Sequence, residues 1–391
     1  MNRVRSTPLP GLGPMPLMRG LLVNRRKPDL QALAGEADPE RFVWRVLPHA
    51  ARSFAASIVV LPTADARAAA VAYLYCRMLD TYEDLIGDPA ESIDELQRFA
   101  SRFDSSPLPP PSPIPEGRAR DERDRIYLLL IARCGHVDAV FRTLSPEVQE
   151  QIRELIETMA AGMVWSRELF ARQGGVLLNQ EQLALYCRHV IGHPAVFTLR
   201  LVSRRELTEP DREDAFLVSE MIQLANVSRD IERDLARGVA YHPALEPYLG
   251  STPDQPEPQV AVRQVREDYL AMALSRAPAY RRLFARLNLG EGAAVRTAAV
   301  LMLRFTDLHY RSCAVRTGNP SWPGPRGRFQ VVVGALPALV SARWAGHTLR
   351  RVESDFATAA SRLAGGRGTP IESLPSANGR QADRATAPAA R

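Results

Sequence analysis

Lysine is almost missing from this chain. Of the 50 basic residues among its 391, Lys27 is the one lysine and the others are arginine. Basic stretches interleaved with aromatics are missing too, which leaves nucleic acid the weakest class of partner. No Cys-x-x-Cys pair occurs. The four cysteines (Cys76, Cys134, Cys187, Cys313) are scattered, which excludes a zinc ligand set and a disulfide framework and points to buried thiols in a reducing cytoplasm. Alternation of Val, Ile and Thr is scarce, so strands are not expected, and no solenoid repeat is present. The opening stretch, MNRVRSTPLPGLGPMPLMRGLLVNRRKPDL, holds too much Pro and Arg for the apolar core of a signal peptide and reads as an irregular tail.

What is present is mostly Ala and Leu. A hydrophobic content of 46% is ample for one large core or two smaller ones. The net charge of +6 suits phosphate-bearing substrates or an anionic membrane surface, unless the arginines reflect codon bias alone. Helical periodicity runs through 29–50, 64–86, 146–173, 179–207, 210–238, 261–288 and 291–316. Between these lie an apolar stretch broken by Pro62 (52–62) and a proline-rich, charged surface loop or insertion (105–125). Gly192 and Pro194 are expected to kink the 179–207 helix. The apolar piece FQVVVGALPALVSA (329–342) is too short to span a bilayer and is followed by Arg343, Arg350 and Arg351. It reads as a packing helix, with a place on a membrane surface as the alternative. The implied division is an N-terminal tail at 1–28, a helical domain at 29–320, an apolar and basic helical segment at 321–364 and a disordered tail at 365–391.

The stretch LDTYEDL (79–85) places Asp80, Glu83 and Asp84 inside an apolar helix, where an unpaired carboxylate is unfavourable. Tyr73, Arg77, Asp80 and Asp84 stand at offsets 0, 4, 7 and 11, on one helical face. Gln223, Asn226, Asp230 and Asp234 stand at offsets 0, 3, 7 and 11 and share a face of the second helix. An all-oxygen ligand set without His or Cys suits a hard cation such as Mg²⁺, which prefers to share its sphere with phosphate oxygens. Arg52, Arg77 and Arg229 lie near these stripes and are placed to hold phosphates. The simpler reading makes Arg77–Asp80 and Arg229–Asp230 plain ion pairs.

Together with RSFAASI, YLYCRMLDTYEDL, MAAGM, YCRHVIG and QLANVSRDIERD, in that order, the chain resembles the squalene/phytoene synthase family, the head-to-head type of trans-isoprenyl diphosphate synthase, over roughly residues 45–315. The D-T-x-E-D form is closer to the squalene synthase branch. The resemblance implies an all-α, single isoprenoid-synthase-type domain around a central cavity. It implies Mg²⁺ on Asp80 and Asp84 from one side and on Asn226, Asp230 and Asp234 from the other. Arg52, Ser53 and Phe54 would meet a diphosphate and the cavity, and Arg77 and Arg229 would orient phosphates. Tyr73 and Tyr186 would line the cavity near the cation, Gln223 would sit by the second metal cluster, and Tyr310 would close the far side. The implied reaction joins two prenyl diphosphates, farnesyl diphosphate first, through a cyclopropylcarbinyl diphosphate to squalene, with NADPH as hydride donor in that branch. Peripheral contact with the inner face of the membrane is expected, because the product is a hydrocarbon.

Departures from the family pattern stand beside this. Arg233 replaces a carboxylate, Val239 stands where the family has Arg, and Ile191, His193, Pro194 and Ala195 alter the kinked helix. Alternatives are a phytoene synthase acting on geranylgeranyl diphosphate, a prenyl-diphosphate-binding protein without catalysis, and a class I terpene cyclase.

Overall fold

The computed structural model describes residues 28–251, 256–317 and 327–365. The expected tails lie almost wholly outside them. The entry segment forms two helices, α1 (Leu30–Ala34) and α2 (Pro39–Ala51), separated at Gly35. After one residue come α3 (Ser53–Val59), then α4 (Thr63–Leu85) and α5 (Pro89–Ser101). The chain continues through α6 (Glu122–Ala132), α7 (Cys134–Phe141), α8 (Pro146–Arg172) and α9 (Gln180–Cys187). A π-turn, Arg188–Gly192, leads into α10 (His193–Ser203), then α11 (Glu209–Ala236) and α12 (Pro256–Arg286). Last are α13 (Ala293–Arg316), α14 (Arg328–Val333) and α15 (Ala342–Gly365). Among the described residues there is no strand, and one isolated parallel bridge pairs Val176 with Ala240.

Local chemistry sets these boundaries. Asp38, Asp88, Asp121 and Asn179 each accept a hydrogen bond from a backbone amide in the first turn that follows them. Thr208 and Asp211 form a capping box ahead of α11. Pro39, Pro89 and Pro146 open their helices, where no amide hydrogen is needed. The proline-rich loop is strapped down: the Tyr82 hydroxyl donates to the Ser112 carbonyl at 2.5 Å, and Arg102 Nε to the Pro109 carbonyl at 2.6 Å.

The large core cluster runs from Leu33 to Ala359, so the 321–364 segment belongs to the same body where it is described. Val331, Val332, Ala335 and Ala338 are buried, and α15 packs on α12 and α13. Phe329 and Val340 point outward.

The expected kink is a π-turn. Pro194 has no amide hydrogen to give back to the preceding turn, and the ladder opens there. Two glycines let neighbours approach. A Cβ on Gly192 would meet Phe216 at 2.8 Å, and one on Gly162 would lie 2.3 Å from the His189 imidazole. His193 stacks on His189 and meets Phe216 edge-on. Gly162→Ala is therefore expected to destabilise the fold by about 1–3 kcal/mol, read as a lower urea midpoint at unchanged slope. Gly117→Ala, where an added Cβ meets nothing within 4 Å, should leave the midpoint in place.

Candidate active site

Helices α4 and α11 both border one cavity of about 400 Å³. Neither fills the space between them: α4 packs on α2, α6 and α8, while α11 packs on α12 and α13. The inner walls are apolar, with Phe54, Val190, Phe197, Ile222, Leu283 and Met302 among them. Both polar stripes face the cavity. Tyr73, Arg77, Asp80 and Asp84 line it from α4, and Gln223, Asn226, Asp230 and Asp234 from α11.

Each stripe is internally bonded. Arg77 donates to the Tyr73 hydroxyl at 2.9 Å and pairs with Asp80 at 3.0 Å. Asn226 donates to Gln223 at 3.1 Å, and Arg229 grips Asp230 through two nitrogens, one at 2.8 Å. The ion-pair reading of these arginines and their place in a shared polar cavity thus hold together. Burial pushes Asp80 up to about 6, Asp234 up to about 7 and Glu83 up to about 8, with neighbouring carboxylates adding to the rise. Burial acts on Asp230 too, but the Arg229 guanidinium outweighs it and leaves Asp230 lowered.

A basic rim faces the carboxylates. Arg52 stands between α2 and α3 at φ 51°, a region disfavoured for a side chain with a Cβ, and this junction sends it to the cavity wall. Burial, then the charges of Arg123, Arg229 and Arg328, hold it down at about 10. Among the described residues no carboxylate pairs with Arg52. Ser53 Oγ lies 3.4 Å from His309 Nε2, and the Phe54 and Tyr73 rings stand 5.8 Å apart. Arg229 has its counter-ion in Asp230, but cations such as Arg52 that have none among the described residues are a place for a polyanion.

Tyr186 is brought in from α9 and meets Tyr241, hydroxyl to hydroxyl, at 3.2 Å. Tyr241 reaches the cavity through the isolated bridge, in which Leu177 donates to Ala240 at 2.9 Å and Ala240 to Gly175 at 2.8 Å. Gly175 stands at φ +91, and a Cβ there would strike the Gly238 carbonyl at 2.2 Å.

Tyr310 departs from the expectation. It is fully buried, its hydroxyl donates to the Met221 carbonyl, and its ring meets Phe356 of α15 edge-on. The packing of α13 turns it to α15 rather than to the cavity. Ile191, Pro194 and Ala195 do line the cavity, whereas His193 does not. Val239 packs against the core, and Arg233 borders the cavity with its guanidinium 3.8 Å from Asp121 and Asp124.

Among the lining residues outside the sequence-derived set are Glu83, Arg123, Arg237 and Tyr241. Glu83 follows Asp80 by three positions, a spacing that keeps one helical face, and it accepts from Ser166 at 3.0 Å. Arg123 stands in the first turn of α6, just after the proline-rich loop, and Arg237 and Tyr241 lie past the end of α11, where helical periodicity has no say.

The squalene/phytoene synthase family profile matches residues 47–326. The squalene synthase of Eremothecium gossypii is 28% identical over 219 residues, 54% of this chain and 47% of its own length. That of Homo sapiens is 26% identical over 204 residues, 51% and 45% of the two chains. The chain spans about half the length of the curated relatives it matches. A solved structure described as TcSQS in complex with the ligand BPH1237 superposes with a TM-score of 0.61 at 20% identity, covering 84% of this chain and 99% of that one. That similarity bears on the fold, and the all-helical architecture agrees with it.

The family implies Mg²⁺-dependent diphosphate chemistry, and the residues present fit that ion. The donors are oxygens throughout, and the raised Glu83 sits in a desolvated place beside the carboxylates of Asp84 and Asp80. Among the described residues no three His, Cys, Asp or Glu side chains converge to hold a metal by themselves.

The raised carboxylates give a pH signature. Above about 4.5 an unfolded Glu83 has lost its proton, while the folded chain retains it until about 8. Stability drawn from that proton is therefore lost as pH rises through this window. In metal-free buffer the Tm of Glu83→Gln should gain on that of the wild type between about pH 5 and about pH 8. A difference that stays constant across that range would contradict the buried, proton-holding Glu83.

Proposed function

Because the chain belongs to the squalene/phytoene synthase family, we propose that it is a prenyltransferase joining two molecules of farnesyl diphosphate head to head. The observation that carries this reading is the meeting of two carboxylate stripes and a basic rim at one polar region of an otherwise apolar cavity. The D-T-x-E-D form, and relatives that bear the name squalene synthase, support farnesyl over geranylgeranyl diphosphate.

In this reading Asp80 and Asp84 from α4, and Asn226, Asp230 and Asp234 from α11, hold the Mg²⁺ that the family implies. Bound there, Mg²⁺ supplies positive charge to a leaving diphosphate. Arg52, Ser53, Arg77 and Arg229 grip diphosphate oxygens, and Gln223 orients Asn226 through their hydrogen bond. The allylic C–O bond of one substrate breaks and the diphosphate leaves with the electron pair. The double bond of the second substrate attacks the allylic cation, a carbon–carbon bond forms, and loss of a proton closes a cyclopropane ring. Phe54, Tyr73 and Tyr186 form the wall beside that cation, where their π-faces stabilise positive charge. The apolar walls exclude water that would quench it.

A second ionisation, with hydride delivered by NADPH, would carry the product on to squalene. Val239 and Arg233 favour a second reading in which turnover stops at the cyclopropylcarbinyl diphosphate. Val239 brings no charge where the family has Arg, and Arg233 is turned to Asp121 and Asp124. No helix among the described residues is long and apolar enough to cross a membrane. Exposed Phe329 and Val340, beside Arg328 and Arg343, support peripheral contact with the inner face of the cytoplasmic membrane.

The test is incubation with farnesyl diphosphate and Mg²⁺, with and without NADPH, and product identification by mass. A thirty-carbon hydrocarbon that requires NADPH supports full squalene synthesis. A cyclopropyl diphosphate in both tubes supports the truncated reaction. Turnover of geranylgeranyl diphosphate alone would assign a phytoene-type enzyme, and binding without pyrophosphate release would overturn catalysis. Asp80→Ala and Asp230→Ala should each lower pyrophosphate release by about 10²-fold or more with the fold intact. Full activity in either variant would sink the assignment.

A further inference from the structure

Helix α4 ends at Leu85 and α11 at Ala236, and the negative ends of both helix dipoles reach the mouth of the cavity. Asp84 and Asp234 sit in those last turns and add two carboxylates. The residue after Ala236 is Arg237, at the C-cap of α11. Its guanidinium crosses from one helix to the other. Nη2 pairs with the Asp84 carboxylate and lies 3.3 Å from the Asp84 carbonyl, while Nη1 lies 3.7 Å from Asp234 Oδ1. The other two carboxylates are served differently: Arg77 and Arg229 pair with Asp80 and Asp230 along their own helices. Arg237 therefore does from within the chain what a bridging cation does, holding the two carboxylate helices together across the mouth.

We infer that Arg237 is a resident cation that takes the place of one divalent ion between Asp84 and Asp234. This rests on the Mg²⁺ reading of the site and divides its ligand set. Asp80, Asn226 and Asp230 keep the divalent ions and the diphosphate, while Asp84 and Asp234, which the undivided set above also gives to Mg²⁺, are withdrawn from it. The guanidinium between those two carries one positive charge where Mg²⁺ would carry two. That position then binds diphosphate less strongly and needs no free metal to be filled.

The experiment counts Mn²⁺ bound per chain, by electron paramagnetic resonance of the free ion, with saturating inorganic pyrophosphate. Wild type, Arg237→Gln, Arg237→Lys and Asp84→Asn are compared, each checked by circular dichroism. Arg237→Gln is expected to bind one more Mn²⁺ than wild type, and Arg237→Lys, which keeps the charge, the wild-type number. Asp84→Asn in the otherwise native chain should also leave the number unchanged, because Asp84 faces the guanidinium; this arm decides the matter even where Arg237→Gln does not fold. Equal counts in wild type and Arg237→Gln, or loss of one Mn²⁺ in Asp84→Asn, would overturn the inference while leaving the metal site in place. No Mn²⁺ on any of the four proteins would overturn the metal reading itself and this inference with it.

Discussion

Negative charge gathered at the ends of two helices is the constraint on which the rest of this structure depends. Asp80, Glu83 and Asp84 on α4, and Asp230 and Asp234 on α11, border one cavity with apolar inner walls. Carboxylates in such a place repel one another and lose hydration, and burial raises Glu83 and Asp234 accordingly. The fold answers with arginines. Arg77 and Arg229 pair along their own helices, Arg237 pairs across, and Arg123 and Arg328 each stand near enough to repel Arg52. In the proposed reading these carboxylates and arginines together meet a metal-bound diphosphate.

The apolar part of the cavity depends on how closely helices approach. Gly162 lets α8 seat against the His189 ring, and Gly192 lets the π-turn seat against Phe216. The π-turn then sets Val190, Ile191, Pro194 and Ala195 on the cavity wall. Bulk at Ile191 and Ala195 thus acts directly on the apolar space of the cavity, whereas His193 is directed to His189 and Phe216. In the proposed reading the polar end of the cavity serves the diphosphate, and this wall meets the prenyl chain.

Much of the site was legible in the residues because helical periodicity is a local property. Offsets of 0, 4, 7 and 11 keep Tyr73, Arg77, Asp80 and Asp84 on one face whatever the helix packs against, and the same holds for Gln223 through Asp234. The helices expected at 64–86, 146–173, 210–238 and 291–316 begin and end within two residues of those bounds, whereas α12 begins at Pro256, ahead of the expected 261, and the 179–207 stretch is broken by the π-turn. Residues outside that regularity were not legible. Tyr241 enters through a bridge to Gly175, distant in sequence. Arg123 arrives on the first turn of α6, placed by the proline-rich loop before it, and Tyr310 leaves the site because α13 presents it to α15.

The sequence by itself determined that the chain is helical, that two helices carry carboxylate stripes, and that hard-cation and phosphate chemistry suits them. Those properties follow from residue type and spacing along single elements. The tertiary structure decided that the two stripes share one cavity, that Arg237 links Asp84 to Asp234, and that Tyr186 meets Tyr241. Each of these is a distance between groups far apart in the chain, and only the packing of whole helices sets such distances.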